Sequence, residues 1–575
     1  MAAKPFESKI QNLVYNVDVG IGLRLIKSGL YILFFLVVIL IYTATQFHGL
    51  KDAEAMDYAQ LARNLSTQHH FVTQCVRPAS MWCLINKSGK HNPTVNNHPD
   101  ILHPPVWPTL LAAAFKIVKP TFVVSKGGGV FTPEQWIIIP ICHLFTLLTG
   151  IAVFLLAQRL FDRRTGFWSM TLFYLSDTAW GDSISGLNLS LATFLTTAAF
   201  YGALVAAARF EEEQPGKNWL TPLAVSLGLC VLAFLTRYGA IAVLPGVALF
   251  VAFSFKEKGW KLALGMILAF LIAISPWLVR NKVVSGGLLG LAPYTALNNS
   301  QTYDEDGFER ALKPNVTLAK YVDDVKVKMM GNLKQYTAGP IRTLGDGLFI
   351  CFFITALFYR FVRTPVHVFR WCVVASMVLL LLIASAFGDA TIRLLHIFCP
   401  FVIIYGLAFF FILLDRLQLR VRLFNLAVTA VVIVLGALPL IFTMLPPRAG
   451  VPYPPYFPPF VSHVCAMLTP DEVICTDMPW ATAWYGNRTS ILLPTTIDEF
   501  YEINDYCKRI SGLYFTTLTR NKPYVRSLLT GSYRTWLPIL EGRIPADFPL
   551  TQGFPINNMD QIFLTDRIRW NQQSE

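Results

Sequence analysis

Three carboxylates stand within six residues in the stretch Asp52-Ala53-Glu54-Ala55-Met56-Asp57-Tyr58, and Lys51 directly precedes them. A carboxylate that is ionised near neutral pH can take the proton of an attacking hydroxyl, and a nearby cation can hold an anionic group that departs. On a helix Glu54, Asp57 and Tyr58 lie one turn apart on one side, while Ala55, Ala59 and Ala62 form a seam of small residues suited to close packing. The alternative is a solvated helix start, in which Asp52 and Glu54 only favour the N-terminus.

The surroundings of this stretch bear on that choice. The chain has 575 residues, 54% of them hydrophobic and only 14% charged, the composition of a polytopic membrane protein and not of an ordinary soluble enzyme. Its formal charge of +13 reads as a topology signal, because Lys and Arg accumulate in cytoplasmic loops. No basic segment interleaved with aromatics stands out, so nucleic acid is not an expected partner. The ten cysteines form no CxxC pair or zinc-finger spacing, although Cys75 and Cys83 share a polar loop in which a disulfide is open.

Apolar runs of membrane length fall near 28–47, 134–157, 166–182, 187–208, 219–236, 238–255, 261–279, 341–359, 371–388, 394–414 and 423–445. The expected fold is therefore a polytopic α-helical bundle of about 11–13 transmembrane helices with a small α/β domain behind it. The segment His103-Pro104-Pro105-Val106-Trp107-Pro108 and the apolar residues after it read as a re-entrant or interfacial helix. With that segment not crossing, the loops carrying Arg159/Arg163/Arg164, Lys256/Lys258/Lys261, Arg360/Arg363/Arg370 and Arg416/Arg420/Arg422 all face the cytoplasm. The N-terminus is then inside, while the first loop (48–133), a second large loop (280–340) and the tail from 446 lie on the outer face. The expected division is a membrane part, 1–445, and an extracytoplasmic α/β domain, 446–575, entered through the proline-rich Pro452–Pro459. In that domain 472–476 and 512–517 read as strands, and 496–509 and 522–529 as helices.

Polar groups at the outer ends of membrane helices gain meaning from this layout, since ionisable residues at membrane depth are costly and usually face a cavity. Arg237, Arg280, Arg393 and His396 stand at such ends, with Lys51 and His103 in the first loop. Cations beside carboxylates suit an anionic leaving group such as a phosphate.

The segments Tyr58-Ala59-Gln60-Leu61-Ala62-Arg63-Asn64-Leu65, His103-Pro104-Pro105-Val106-Trp107-Pro108, Pro276-Trp277-Leu278-Val279-Arg280-Asn281 and Arg393-Leu394-Leu395-His396 follow one another in an order that resembles a known family. It is that of the C-type (GT-C) glycosyltransferases, of the protein O-mannosyltransferase and aminoarabinose (lipid A) transferase kind. The resemblance implies a multi-pass protein of the cytoplasmic (inner) membrane. It further implies a polyprenyl-phosphate sugar as donor and an acceptor hydroxyl on a lipid, glycan or protein, joined with inversion on the extracytoplasmic face. The acidic residue of the family falls on Glu54, with Asp52 and Asp57 as neighbours of similar chemistry. Arg280, Arg393, Arg237, His396 and Lys51 are then expected at the donor phosphate, and Tyr58, His103, Asn188 and Asp182 around the substrates. Where relatives often carry a second acidic residue, this chain has Asn188, with Asp182 nearby, and a divalent metal ion is left open as a cofactor. The alternative function is a transporter or flippase of lipid-linked saccharides, which would more naturally show repeat symmetry and broken helices at mid-bilayer.

Overall fold

A computed structural model describes residues 21–68, 70–89, 95–125, 130–211, 218–388, 392–418, 422–446, 457–520, 528–554 and 561–570. Most of the proline-rich linker (452–456) and of the helix expected at 522–529 (522–527) lies outside these residues.

Among the described residues seven helices are long and apolar enough to cross a membrane: 25–46, 134–160, 189–211, 256–285, 364–387, 393–416 and 423–444. The expected crossings at 219–236, 238–255 and 341–359 correspond to shorter apolar helices, Leu220–Thr236, Tyr238–Ser254 and Leu348–Phe358. The run at 166–182 is not continuous. It divides into Arg163–Tyr174 and Asp177–Ile184, because the Ser176 hydroxyl accepts the Ala179 N–H and caps a new helix, while the Trp180 indole donates to the Tyr174 carbonyl. Local capping here outweighs continuous hydropathy.

Four helices position the site, and we label them α1 (Ile21–Gln46), α2 (Ala53–Gln68), α3 (Val106–Val118) and α4 (Glu134–Leu160, its first turn a π-helix). α2 starts where the Asp52 carbonyl accepts the Ala55 and Met56 N–H groups, and Glu54 lies in its first turn, where the helix dipole favours a negative charge. Its alanine seam is closed: Ala55, Ala59 and Ala62 are buried against a core that includes Trp107, Leu111 and Phe115 of α3. α3 has only 13 residues, or roughly 20 Å, opening after Pro104-Pro105 and ending at Lys119 in the left-handed region (φ 52°).

The C-terminal region carries a six-stranded sheet of β1 (Cys75–Val76), β2 (Val473–Thr476), β3 (Thr489–Leu492), β4 (Ile510–Phe515), β5 (Gln552–Phe554) and β6 (Ile562–Thr565). The strand order is β1-β3-β2-β4-β6-β5, with the first four parallel and the last two antiparallel. β1 comes from the first loop, its register pairing Cys75 with Ser490, and the Gln74 carbonyl accepts the Ser490 N–H at 2.7 Å. Cys75 and Cys83 are both buried free thiols, so the disulfide left open by the sequence is not formed. The first loop, the second large loop and the C-terminal region thus meet at one end of the bundle. At the other end Arg164 pairs with Asp415 at 3.0 Å.

Candidate active site

The N-terminal end of α2 meets the ends of two membrane helices. Arg237 follows the helix Leu220–Thr236 in an extended conformation (φ −150°, ψ 118°), and Asn188 directly precedes the helix Leu189–Glu211. Asn188 is fully buried and ties these ends together, its Nδ2 donating to the Thr236 carbonyl at 2.6 Å and to the Tyr58 hydroxyl at 3.0 Å. Arg237 Nη1 donates to Asn188 Oδ1 at 2.8 Å, and the guanidinium reaches both Glu54 oxygens at 3.4 Å. Tyr58 closes the ring by donating to Glu54 Oε1 at 3.1 Å.

Within this ring the Glu54 side chain is 38% exposed and that of Arg237 is 22% exposed. Its contacts with Arg237 are long and partly solvated, which makes the pair worth about 0–1 kcal/mol rather than a tight structural lock. Oε2 accepts the long Arg237 contact, which leaves acceptor capacity on a carboxylate open to solvent.

A second pair stands beside the first. Arg393 Nη1 donates to Asp52 Oδ1 at 2.7 Å, with side chains 45% and 27% exposed. The Arg393–Phe398 turn lies against the Arg237 turn, since a Cβ on Gly239 would come within 2.8 Å of Leu394 Cδ2. Farther along the same turn His396 Nδ1 and Asp182 Oδ2 are 2.9 Å apart and border a small cavity lined also by Thr146, Thr149, Ser190 and Thr193 and by the apolar Phe173 and Ala179. Lys51 is exposed at the rim.

Three expected site residues stand elsewhere. Asp57 does not share the face of Glu54: it is fully buried, hydrogen-bonded to Arg77, whose Nε binds Glu309 Oε2 of the second large loop at 2.6 Å. Adjacent residues on a helix differ by about 100°, so Tyr58 can face the site while Asp57 turns into the loop packing. Arg280 Nη1 donates to the Asp100 carbonyl at 2.5 Å and to Asn281 Oδ1 at 2.9 Å, and the guanidinium lies over Phe71 and Trp277. It braces the first loop instead of facing Glu54. His103 is buried behind the site, with its ring edge-on to Tyr58 at 4.7 Å and its Nδ1 2.9 Å from Asp100 Oδ2. Burial alone would raise the Asp100 pKa, but the charge and hydrogen bonds of His103, with Arg280 beyond, lower it to about 2. For His103 burial works toward the neutral form, and the Asp100 charge outweighs it to raise the pKa.

Several residues of this region went unrecognised in the sequence. Arg77 and Asp100 lie between the short elements of the first loop and Glu309 in the one-turn helix Gly307–Arg310 of the second, none of them within a motif. Glu134 did carry a signal, as a lone carboxylate at the start of an apolar run.

A divalent metal ion does not suit this donor set. Among the described residues no group of three or more His, Cys, Asp or Glu side chains converges. Beside Glu54 stands a neutral amide, and the Arg237 guanidinium already bonds both Glu54 and Asn188, so a dication would face a fixed positive charge.

No family model and no curated protein matches the sequence. The fold has solved relatives. An oligosaccharyltransferase from Archaeoglobus fulgidus, in complex with Zn and sulfate, superposes with a TM-score of 0.56 at 12% identity, covering 87% of this chain and 70% of that one. The archaeal oligosaccharyltransferase AglB from the same organism, in complex with an inhibitory peptide and a dolichol-phosphate, gives 0.54 at 12% identity over 86% of this chain and 70% of that one. ArnT from Cupriavidus metallidurans, bound to undecaprenyl phosphate, gives 0.54 at 12% identity over 94% of this chain and 98% of that one. Likeness at this identity is likeness of architecture: the chain is a multi-pass membrane protein with the GT-C fold.

Proposed function

We propose that this chain is a glycosyltransferase of the inner membrane that moves a sugar from a polyprenyl-phosphate donor to an acceptor hydroxyl on the extracytoplasmic face, with inversion. The observation that carries the reading is the half-exposed Glu54 carboxylate, oriented by Tyr58 and Arg237 and standing two residues from the Asp52–Arg393 pair. The neighbours support the class of donor, since one is described with dolichol-phosphate and another with undecaprenyl phosphate.

In this mechanism the acceptor oxygen attacks the anomeric carbon while Glu54 takes its proton. The bond from that carbon to the phosphate oxygen breaks in the same displacement, and the lipid phosphate leaves with the electron pair. Arg393 and Arg237 hold the departing charge, Lys51 adds an exposed positive charge at the rim, and His396 borders the cavity beside them. Tyr58 and Asn188 keep the carboxylate and guanidinium in register, and Asp182 holds His396. Arg280 and His103 support the first loop on which α2 stands. Lipid, glycan and protein hydroxyls are all admissible acceptors.

The test is transfer of labelled sugar from polyprenyl-phosphate donors by the purified protein in lipid nanodiscs, offered each class of acceptor. Stereochemical inversion of the transferred sugar is the expected result. Movement of the intact labelled lipid across a vesicle membrane without sugar transfer would replace this reading with that of a flippase.

A further inference from the structure

A carboxylate outside the site joins the C-terminal region to the chain just ahead of Asp52. Glu134, the first residue of α4, is fully buried; its Oε2 accepts the Leu50 N–H at 3.0 Å and its Oε1 accepts the Trp484 indole N–H at 2.7 Å. Trp484 belongs to α5 (Pro479–Gly486) of the C-terminal region and is fully buried among Phe115, Phe122 and Phe131, with the Arg63 guanidinium 5.5 Å from its ring. Arg63, on α2, grips the end of α5 by donating to the Ala483 and Trp484 carbonyls at 2.7 and 2.9 Å. α5 therefore holds α2 directly through Arg63 and holds the entry to α2 through Glu134.

That entry has little freedom. Gly49 has φ +118°, a conformation that side chains disfavour, and a Cβ there would lie 3.4 Å from Glu134 Oε2. The Leu50 side chain abuts Gly186, two residues before Asn188. A shift of Leu50 thus displaces Asp52 and Glu54 along the chain and presses on the turn that carries Asn188.

We infer that Glu134 is a positioning residue through which the docked Trp484 sets the place of the Asp52 and Glu54 carboxylates, so that turnover depends on the seating of the C-terminal region. The inference rests on the transferase reading for its effect on rate. Misplacing a reacting group by about 1 Å costs up to a hundredfold, so a loosened joint lowers kcat while leaving donor affinity in place.

The experiment compares Trp484→Phe, which keeps an aromatic ring but removes the indole N–H and part of the buried ring, with Glu134→Gln and with the double variant, all as full-length protein in proteoliposomes. Each single variant is expected to lose roughly tenfold in kcat with donor KM within about twofold, and the double to lose no more than the worse single, because both interrupt the same Trp484–Glu134–Leu50 relay. A second readout does not need activity: a nitroxide at Lys51→Cys, with Cys351 and Cys507, the two cysteines that are not buried, changed to Ser. Its spectrum is expected to sharpen when Trp484→Phe is added. Unchanged kcat in both single variants overturns the inference, as does a fall in folded protein with the nitroxide spectrum unaltered. If the wild type transfers no sugar, the transferase reading fails, and the spectrum alone then supports or overturns the joint.

Discussion

Glu54→Gln removes the proposed base and almost nothing else. The amide keeps an oxygen for the Tyr58 hydroxyl and loses only the Arg237 contacts at 3.4 Å, between side chains 38% and 22% exposed, so the stability cost is within about 1 kcal/mol. Loss of a general base costs roughly a hundredfold to ten-thousandfold in rate, equivalent to about 3–5 kcal/mol of barrier. Turnover should therefore fall by at least two orders of magnitude while melting temperature barely moves and donor KM stays near its starting value. The assay is single-turnover transfer at saturating labelled donor, run beside Asp52→Asn and Asp57→Asn. Asp57→Asn is expected to act differently: it breaks a buried pair with Arg77, at a cost of about 3–5 kcal/mol, and lowers the yield of folded protein. Normal turnover of Glu54→Gln with a dead Asp52→Asn would transfer the role of base to Asp52. Normal turnover of both would refute a catalytic role for this helix start.

Three other outcomes are expected. Arg393→Ala should weaken donor binding about ten- to a hundredfold, whereas Arg280→Ala, whose donors face the first loop, should lower thermal stability and leave donor affinity nearly unchanged; binding of undecaprenyl phosphate by both variants checks this. Asp100 and His103 predict a stability plateau. The stabilisation from Asp100 is complete above its ordinary value of 3.8 and is lost as pH falls toward about 2, while that from His103 is complete below 6.5 and is lost as pH rises through its raised folded value. Melting temperature against pH, with His103→Gln flattening the alkaline limb, tests the pair. Finally, impermeant maleimide should reach a cysteine placed at Gln552 from outside intact cells and should not reach one placed at Arg164; the reverse would undo the extracytoplasmic assignment.

Much of the architecture was legible because hydropathy and helical period are local quantities. Long runs without charge specify apolar helices except where a local cap intervenes, as at Ser176, and the alanines at 55, 59 and 62 mark by spacing a close-packed seam of α2, although residues 55–64 are buried on all sides. The types of residue at the site were legible too: carboxylates at the start of α2 and arginines at helix ends. What periodicity cannot supply is the partner. Asp57 and Tyr58 are neighbours in sequence, yet one turns to Arg77 and Glu309 and the other to Glu54 and Asn188, a choice made by loops 20 to 252 residues away. Arg237 and Arg280 looked alike as cations at helix ends, and only packing assigned one to the carboxylate and the other to the Asp100 carbonyl. Likewise two residues of the first loop complete a sheet otherwise built from the last third of the chain, because strand pairing is a contact between distant backbones that no local pattern records. The sequence by itself therefore determined the bundle and the chemical repertoire of its rim; the tertiary structure decided which charges meet, since that depends on contacts across hundreds of residues.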